Sequence, residues 1–316
     1  MSLRVNAQGF DISWGRLCFS KLWGRVWLPG PACAKFPLMG LRELFDKKGG
    51  GSSQSGKGQA DPLEDPLVLS FIFHPREDLS GPARGSGTKD LLFPVSAGIK
   101  IGARFYPAGQ SFPNLIFFHG NGEIASDYDE VARLYVERGL NLLVVDYRGY
   151  GRSTGTPTLK NMLEDAMELM DPISRWLARE GFTGARWVMG RSLGSCPAIH
   201  VARHRADVLS GMVVESGFAD TLGLLNRIGL PTKGLEIPQE WKNFNLEGIS
   251  HVELPTLVIH GEWDQIIPLE DGVALYQACR ASRKELVVIP EAGHNDLFWV
   301  GMEQYMRALQ LFIGKA

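Results

Sequence analysis

Val188-Met189-Gly190-Arg191-Ser192-Leu193-Gly194-Ser195 carries the pattern G-x-S-x-G between an apolar run, Ala185 to Met189, and a helix-capable run, Ser195 to Arg205. Strand, glycine–serine turn and helix in that order form the setting of a nucleophile elbow. The turn is too tight for side chains on either flank, so small residues stand two before and two after the serine. The serine is then held in a strained backbone conformation, with its hydroxyl pushed into the open. Five-residue patterns are common, and the same letters also describe an ordinary turn between a strand and a helix. The surrounding sequence has to separate the two.

Strands and helices alternate on both sides of this stretch. Asn114 to Phe118, Asn141 to Val145, Arg186 to Met189, Gly211 to Val214, Thr256 to His260 and Glu285 to Ile289 are short apolar runs that read as buried strands. Helices are predicted over Ile124 to Arg138, Leu159 to Leu177, Val273 to Arg280 and Leu297 to Ile313. Nearer the N-terminus, Leu67 to Phe73 reads as a strand, and Lys89 to Val95 with Ile99 to Tyr106 as a hairpin across Ser96-Ala97-Gly98. Apolar strands alternating with helices predict an α/β fold with a mainly parallel sheet of about eight strands, covered on both faces. In such sheets ligands collect at the carboxyl ends of the strands.

Residues able to carry chemistry stand at those ends. After the Asn114–Phe118 run comes His119-Gly120-Asn121-Gly122, either an ordinary turn or a loop whose backbone closely approaches a bound group. Acyl transfer needs two donors aimed at the developing oxyanion, and the candidates are the backbone amides of Leu193 and Asn121. Asp146-Tyr147-Arg148-Gly149-Tyr150-Gly151-Arg152-Ser153 is glycine-rich but lacks the spacing of a phosphate loop, so Asp146 and Arg148 read as braces. Asp264 follows the Thr256–His260 run, with Glu262 as the competing acid, and His294 follows the Glu285–Ile289 run. A lone loop aspartate or histidine is usually just solvated. Serine, aspartate and histidine in that order, each after a separate strand, satisfy three linked requirements. His294 takes the Ser192 proton, and Asp264 fixes one ring nitrogen and stabilises the imidazolium.

Composition narrows the alternatives. The chain has 316 residues, 44% hydrophobic and 22% charged, with net charge −2, so it can bury a sizeable core. No dense Lys/Arg run suggests a nucleic-acid partner. Cys18, Cys33, Cys196 and Cys279 form neither a CxxC pair nor a disulfide framework, which points to a reducing compartment. Cys196 reads as a packed residue rather than a second nucleophile. His200 and His204 stand four apart but lack an evident third ligand, so no metal is expected. No apolar stretch approaches the length of a membrane span.

Residues 13–38 are acid-poor, as in a signal or transit peptide, but Arg16, Lys21 and Arg25 interrupt every apolar run. Met39 would serve as an alternative start, although Leu44 then stands where a myristoylation pattern wants Ser or Thr. Residues 47–66 are rich in Gly and Ser. The expectation is a poorly ordered extension and linker over 1–66, followed by one domain over 67–316.

The glycine loops, Gly190-Arg191-Ser192-Leu193-Gly194, the Asp264 loop and Gly293-His294 together resemble the α/β-hydrolase superfamily over residues 67–316. His119-Gly120-Asn121 with Asp146-Tyr147-Arg148-Gly149-Tyr150-Gly151 is similar to the alpha/beta hydrolase domain-containing group that includes protein depalmitoylases, and to its uncharacterised bacterial relatives. The resemblance implies a serine hydrolase with Ser192, Asp264 and His294 as triad and the Leu193 and Asn121 amides as oxyanion hole. An acyl-enzyme would form on a carboxylic ester or thioester, without metal or organic cofactor, in a cytoplasmic protein. The depalmitoylases' lipidated Cys-rich N-terminus has no counterpart, since only Cys18 and Cys33 precede the linker. The lid segment, about 218–250 with Trp241 and Phe244, is short. A serine peptidase of the same fold and a non-catalytic binding protein of that fold are the rival readings.

Overall fold

Short runs of aliphatic and aromatic residues, bounded by turns, set the strands of the sheet. The computed structural model describes residues 62–314, apart from 84, 86, 231 and 234. Of the extension and linker expected over 1–66, residues 1–61 lie outside the described residues.

The described chain starts with helix α1 (Pro66–Ile72), strands β1 (Lys89–Pro94), β2 (Lys100–Tyr106) and β3 (Asn114–Phe118), helix α2 (Ala132–Val136) and strand β4 (Asn141–Val145). Next come α3 (Leu159–Arg179), β5 (Arg186–Arg191), α4 (Ser195–His204) and β6 (Gly211–Glu215). Helices α5 (Thr221–Arg227), α6 (Gln239–Lys242) and α7 (Phe244–Ile249) lead to β7 (Thr256–Gly261), α8 (Leu269–Ala278), β8 (Lys284–Ile289), α9 (Leu297–Val300) and α10 (Met302–Ile313).

The eight strands form one sheet in the order β1-β2-β4-β3-β5-β6-β7-β8. β1 and β2 are antiparallel, β2 meets β4 antiparallel, and every other pair is parallel. This is the α/β-hydrolase fold. Alternate strand residues serve opposite faces, as the pleat requires. Ile116, Phe118, Val188 and Val214 pack with the α3 and α4 side chains Met170 and Ile199 in one core. Leu115, Phe117, Met189 and Ile259 pack with the α2 and α10 side chains Tyr135 and Met306 in the other.

Three expectations are corrected. Leu67 to Phe73 is helical: Asp65 caps the Leu67 N–H at 2.9 Å, Pro66 stands at the first helical position, and Val68 and Ile72 share the buried face at helical spacing. The helix expected over Ile124 to Arg138 breaks into a 3-10 turn, Ala125–Tyr128, and the short α2. Asp127 turns back onto the Ile124 N–H at 2.9 Å, and Asp129 is drawn to Arg104 and the Tyr106 hydroxyl, both at 2.7 Å. The closing helix is interrupted at Gly301, which lies so close to Ile289 that no Cβ would fit.

The topology fixes where chemistry can happen. β3 leads on to β4 on one side of it, while its other neighbour β5 leads on to β6 on the opposite side, so the connections diverge between β3 and β5 and open a crevice at the carboxyl ends. Register aligns those ends: Phe118 pairs with Gly190, Arg191 with Glu215, and Gly261 with Ile289. The residues that follow each strand therefore meet along one edge.

Candidate active site

Ser192 follows β5 directly, with φ of 52°, in the left-handed region that non-glycine residues avoid. The flanking glycines are required by space. A Cβ on Gly190 would run into the Gly194 carbonyl, and one on Gly194 into the Phe118 carbonyl. The Ser195 hydroxyl donates to the Ser192 carbonyl at 2.6 Å, and buried Asn245 of α7 donates to Ser195 Oγ at 2.9 Å.

His294 and Asp264 meet Ser192 although their loops stand far apart in sequence. His294 Nε2 lies 3.0 Å from Ser192 Oγ, and His294 Nδ1 lies 2.7 Å from Asp264 Oδ2. The other carboxylate oxygen accepts the N–H groups of Ile266 at 3.0 Å and Ile267 at 2.8 Å. Burial opposes ionisation of Asp264, but these donors and the His294 ring together hold its carboxyl below the ordinary range. The competing acid is placed elsewhere: Glu262 is exposed and accepts the Glu291 N–H at 3.0 Å.

Leu193 stands at the first turn leading into α4, where amides have no partner within the helix. Asn121 is held through its side chain. Its Oδ1 accepts the His74 N–H at 3.0 Å and the Tyr150 hydroxyl at 2.7 Å, and its Nδ2 donates to the Ile72 carbonyl at 2.7 Å. Its own N–H has no acceptor among the described residues. The segment 72–78 thus straps the first glycine loop. It also straps the second: the Gly151 N–H donates to Arg76 O at 2.8 Å and the Asp78 N–H to Gly151 O at 3.1 Å. Arg76 Nε adds a bond to the Gly122 carbonyl at 2.7 Å.

Asp146 and Arg148 brace as the sequence suggested. Asp146 accepts the Ala125 N–H at 2.8 Å, and Arg148 forks onto Asp165 through two bonds of 2.7 Å. Cys196 is buried, and burial pushes its thiol well above the ordinary range, which suits packing rather than attack. Among the described residues no group of three His, Cys, Asp or Glu is arranged to hold a metal ion. None of the described helices is long and apolar enough to cross a membrane.

Several residues at the site escaped sequence reasoning. Buried Arg191, the variable residue of G-x-S-x-G, pairs with Glu123 and with Glu215 and donates to the His294 carbonyl. His260 lies beneath Asp264, with Nε2 2.8 Å from the Ile267 carbonyl, and burial lowers its proton affinity. The available signal was a charged or polar residue closing an otherwise apolar strand, as Arg191, Glu215 and His260 do.

Known proteins share parts of this sequence and its fold. The family described as serine aminopeptidase, S33, matches residues 110–225. The uncharacterized protein YfhR of Escherichia coli K12 is 26% identical over 240 residues, covering 73% of this chain and 82% of that protein. Human alpha/beta hydrolase domain-containing protein 17B is 31% identical over 212 residues, covering 64% and 66%. Among solved structures, an esterase of Pyrococcus furiosus superposes with TM-score 0.61 at 18% identity, covering 77% of this chain and 98% of that one. Est1E of Butyrivibrio proteoclasticus gives 0.58 at 19%, covering 72% and 98%.

Proposed function

We propose that this chain, a relative of the α/β-hydrolase superfamily, is a serine hydrolase of carboxylic esters or thioesters acting in the cytoplasm. The observation that carries this reading is the chain of contacts from Ser192 Oγ to His294 at 3.0 Å and on to Asp264 at 2.7 Å. Ser192 attacks the acyl carbonyl as His294 Nε2 takes its proton. Asp264 keeps the Nδ1–H tautomer in place and stabilises the imidazolium. The Leu193 and Asn121 amides receive the oxyanion. His294 returns the proton to the departing alcohol or thiol, then activates the water that releases the acid. The substrate is a small acyl compound, and the chemistry needs no metal or organic cofactor.

A fluorophosphonate probe tests this directly. Intact protein should label at Ser192, and Ser192→Ala should not. Absence of labelling on the intact, folded protein would favour a non-catalytic binding protein of the same fold. A peptidase is the second reading, prompted by the family's aminopeptidase description. The short stretch between β6 and β7 leaves little room for the large extra domain of many such peptidases. Turnover of p-nitrophenyl esters but not of aminoacyl-nitroanilides would decide for the esterase.

A further inference from the structure

Arg191 precedes the elbow serine directly, and its side chain is 10% exposed. Its guanidinium reaches three separate segments. Nη2 donates to the His294 carbonyl at 2.9 Å, Nε to Glu215 Oε1 at 3.1 Å, and Nη1 to Glu123 Oε1. A longer contact of 3.5 Å joins Nη2 to Asn295 Oδ1. Each carboxylate is held from its other side. Glu123 Oε2 accepts the Gly120 N–H at 2.9 Å and the Tyr128 hydroxyl at 2.7 Å. Glu215 Oε2 accepts the Tyr305 hydroxyl at 2.7 Å. Gly120 has no side chain where Arg191 passes beneath the loop, and a Cβ there would collide with the guanidinium and Glu123.

We propose that Arg191 is a positioning residue for the reaction assigned above, locking the elbow, the His294 loop and the Gly120–Asn121 loop into one register. The inference rests on the serine-hydrolase reading. Stability alone is a weak reason for such a cluster, because a buried trio of two carboxylates and one guanidinium can be replaced by packed apolar groups at little cost. What apolar groups cannot supply is direction. A planar fork fixes three acceptors at once, whereas a lysine ammonium is a point charge on a flexible stem. Through Glu123 the fork reaches the amide next to Asn121, and through the carbonyl of His294 it sets the backbone of the general base. Both groups act within tight geometric limits, and a displacement of about 1 Å costs on the order of 100-fold in rate.

The test is Arg191→Lys in the full chain, with melting temperature, kcat and KM on a p-nitrophenyl ester, and the rate of fluorophosphonate labelling measured together. A folded variant should keep KM within about twofold while kcat and the labelling rate both fall on the order of 100-fold. A folded variant with kcat within threefold of wild type, or with its loss confined to KM, overturns the proposal. If Arg191→Lys does not fold, Glu123→Gln decides. Its amide keeps the acceptor for Arg191 and turns a donor toward the Gly120 N–H, so kcat should fall about tenfold at constant KM; unchanged kcat refutes the lock. Wild-type protein that resists the probe would sink the serine-hydrolase reading itself. Labelling of wild type and Arg191→Lys at equal rates would sink only this inference.

Discussion

Asp264→Asn isolates the role of one proton position. The carboxylate is not free to choose its orientation, because Oδ1 accepts from the Ile266 and Ile267 N–H groups. An asparagine placed with its amide nitrogen toward them would set donor against donor, at about 1–3 kcal/mol for each buried group left unpaired. The amide nitrogen therefore faces His294 Nδ1, now 2.7 Å from Oδ2. That contact requires an unprotonated Nδ1, so the proton moves to Nε2, the atom 3.0 Å from Ser192 Oγ. A ring protonated there cannot accept the serine proton. The expected loss in kcat is on the order of 10⁴-fold, about 5 kcal/mol of barrier. The fold should survive, since the volume is conserved and the two backbone bonds remain. The assay is p-nitrophenyl ester turnover beside thermal melting. Glu262→Gln serves as the control and should stay within about twofold, because exposed surface substitutions rarely perturb a distant site. A folded Asp264→Asn protein that keeps more than a tenth of wild-type kcat would refute the reasoning, and the opposite ranking of the two variants would reassign the acid.

Gly190→Ala places a Cβ against the Gly194 carbonyl and 2.7 Å from the Ala198 Cβ. Chemical denaturation should show a loss of about 1–3 kcal/mol, with labelling at Ser192 greatly slowed; wild-type stability would mean that the elbow is looser than its contacts imply. For His200, burial first and the nearby His204 and Arg203 second push the imidazole down to about 4, against an ordinary value of 6.5. The unfolded chain then binds the extra proton between those values, so this group's contribution is complete above the unfolded value and is lost as pH falls toward the folded one. Melting curves from pH 7 to pH 4 should decline less steeply for His200→Gln, and parallel curves would contradict the assignment.

The sheet was legible because buried parallel strands are written as uninterrupted apolar runs, and Asn114–Phe118 and Asn141–Val145 keep their expected bounds. Leu67–Phe73 is the instructive error. An apolar run of seven residues fits a strand and a helix equally, and the cap at Asp65 and Pro66 that decides between them lies just outside it. In the same way, the Ile124–Arg138 spacing is helical on paper. Its Asp129 is claimed by Arg104 and Tyr106, which come from β2, and no local pattern reports that. At the site, serine, aspartate and histidine are expected from their order after separate strands, and the fold brings those three side chains together. Arg191, Glu123 and Glu215 could not be read from such an order. Their meaning is the meeting of Arg191 with Glu123, Glu215 and His294, which stand 68, 24 and 103 positions from it, and the spacing carries no trace of that.

The strap over residues 72–78 is gripped through both its main chain and its side chains. Ile72 offers a carbonyl, His74 and Asp78 offer N–H groups, and Arg76 offers a carbonyl, while side chains add the His74 Nδ1 contact with Asn121 Nδ2, the Arg76 bonds to the Gly122 carbonyl and Asp127, and the Asp78 ion pairs with Arg104 and Arg152. Every residue type except proline supplies those main-chain atoms. The grip is therefore shared between Asn121 and Tyr150 on the loops and His74, Arg76 and Asp78 on the strap. A change at Ile72 leaves its carbonyl bond to Asn121 in place, whereas a change at His74, Arg76 or Asp78 removes a side-chain fastener and leaves only the main-chain bonds to hold the strap.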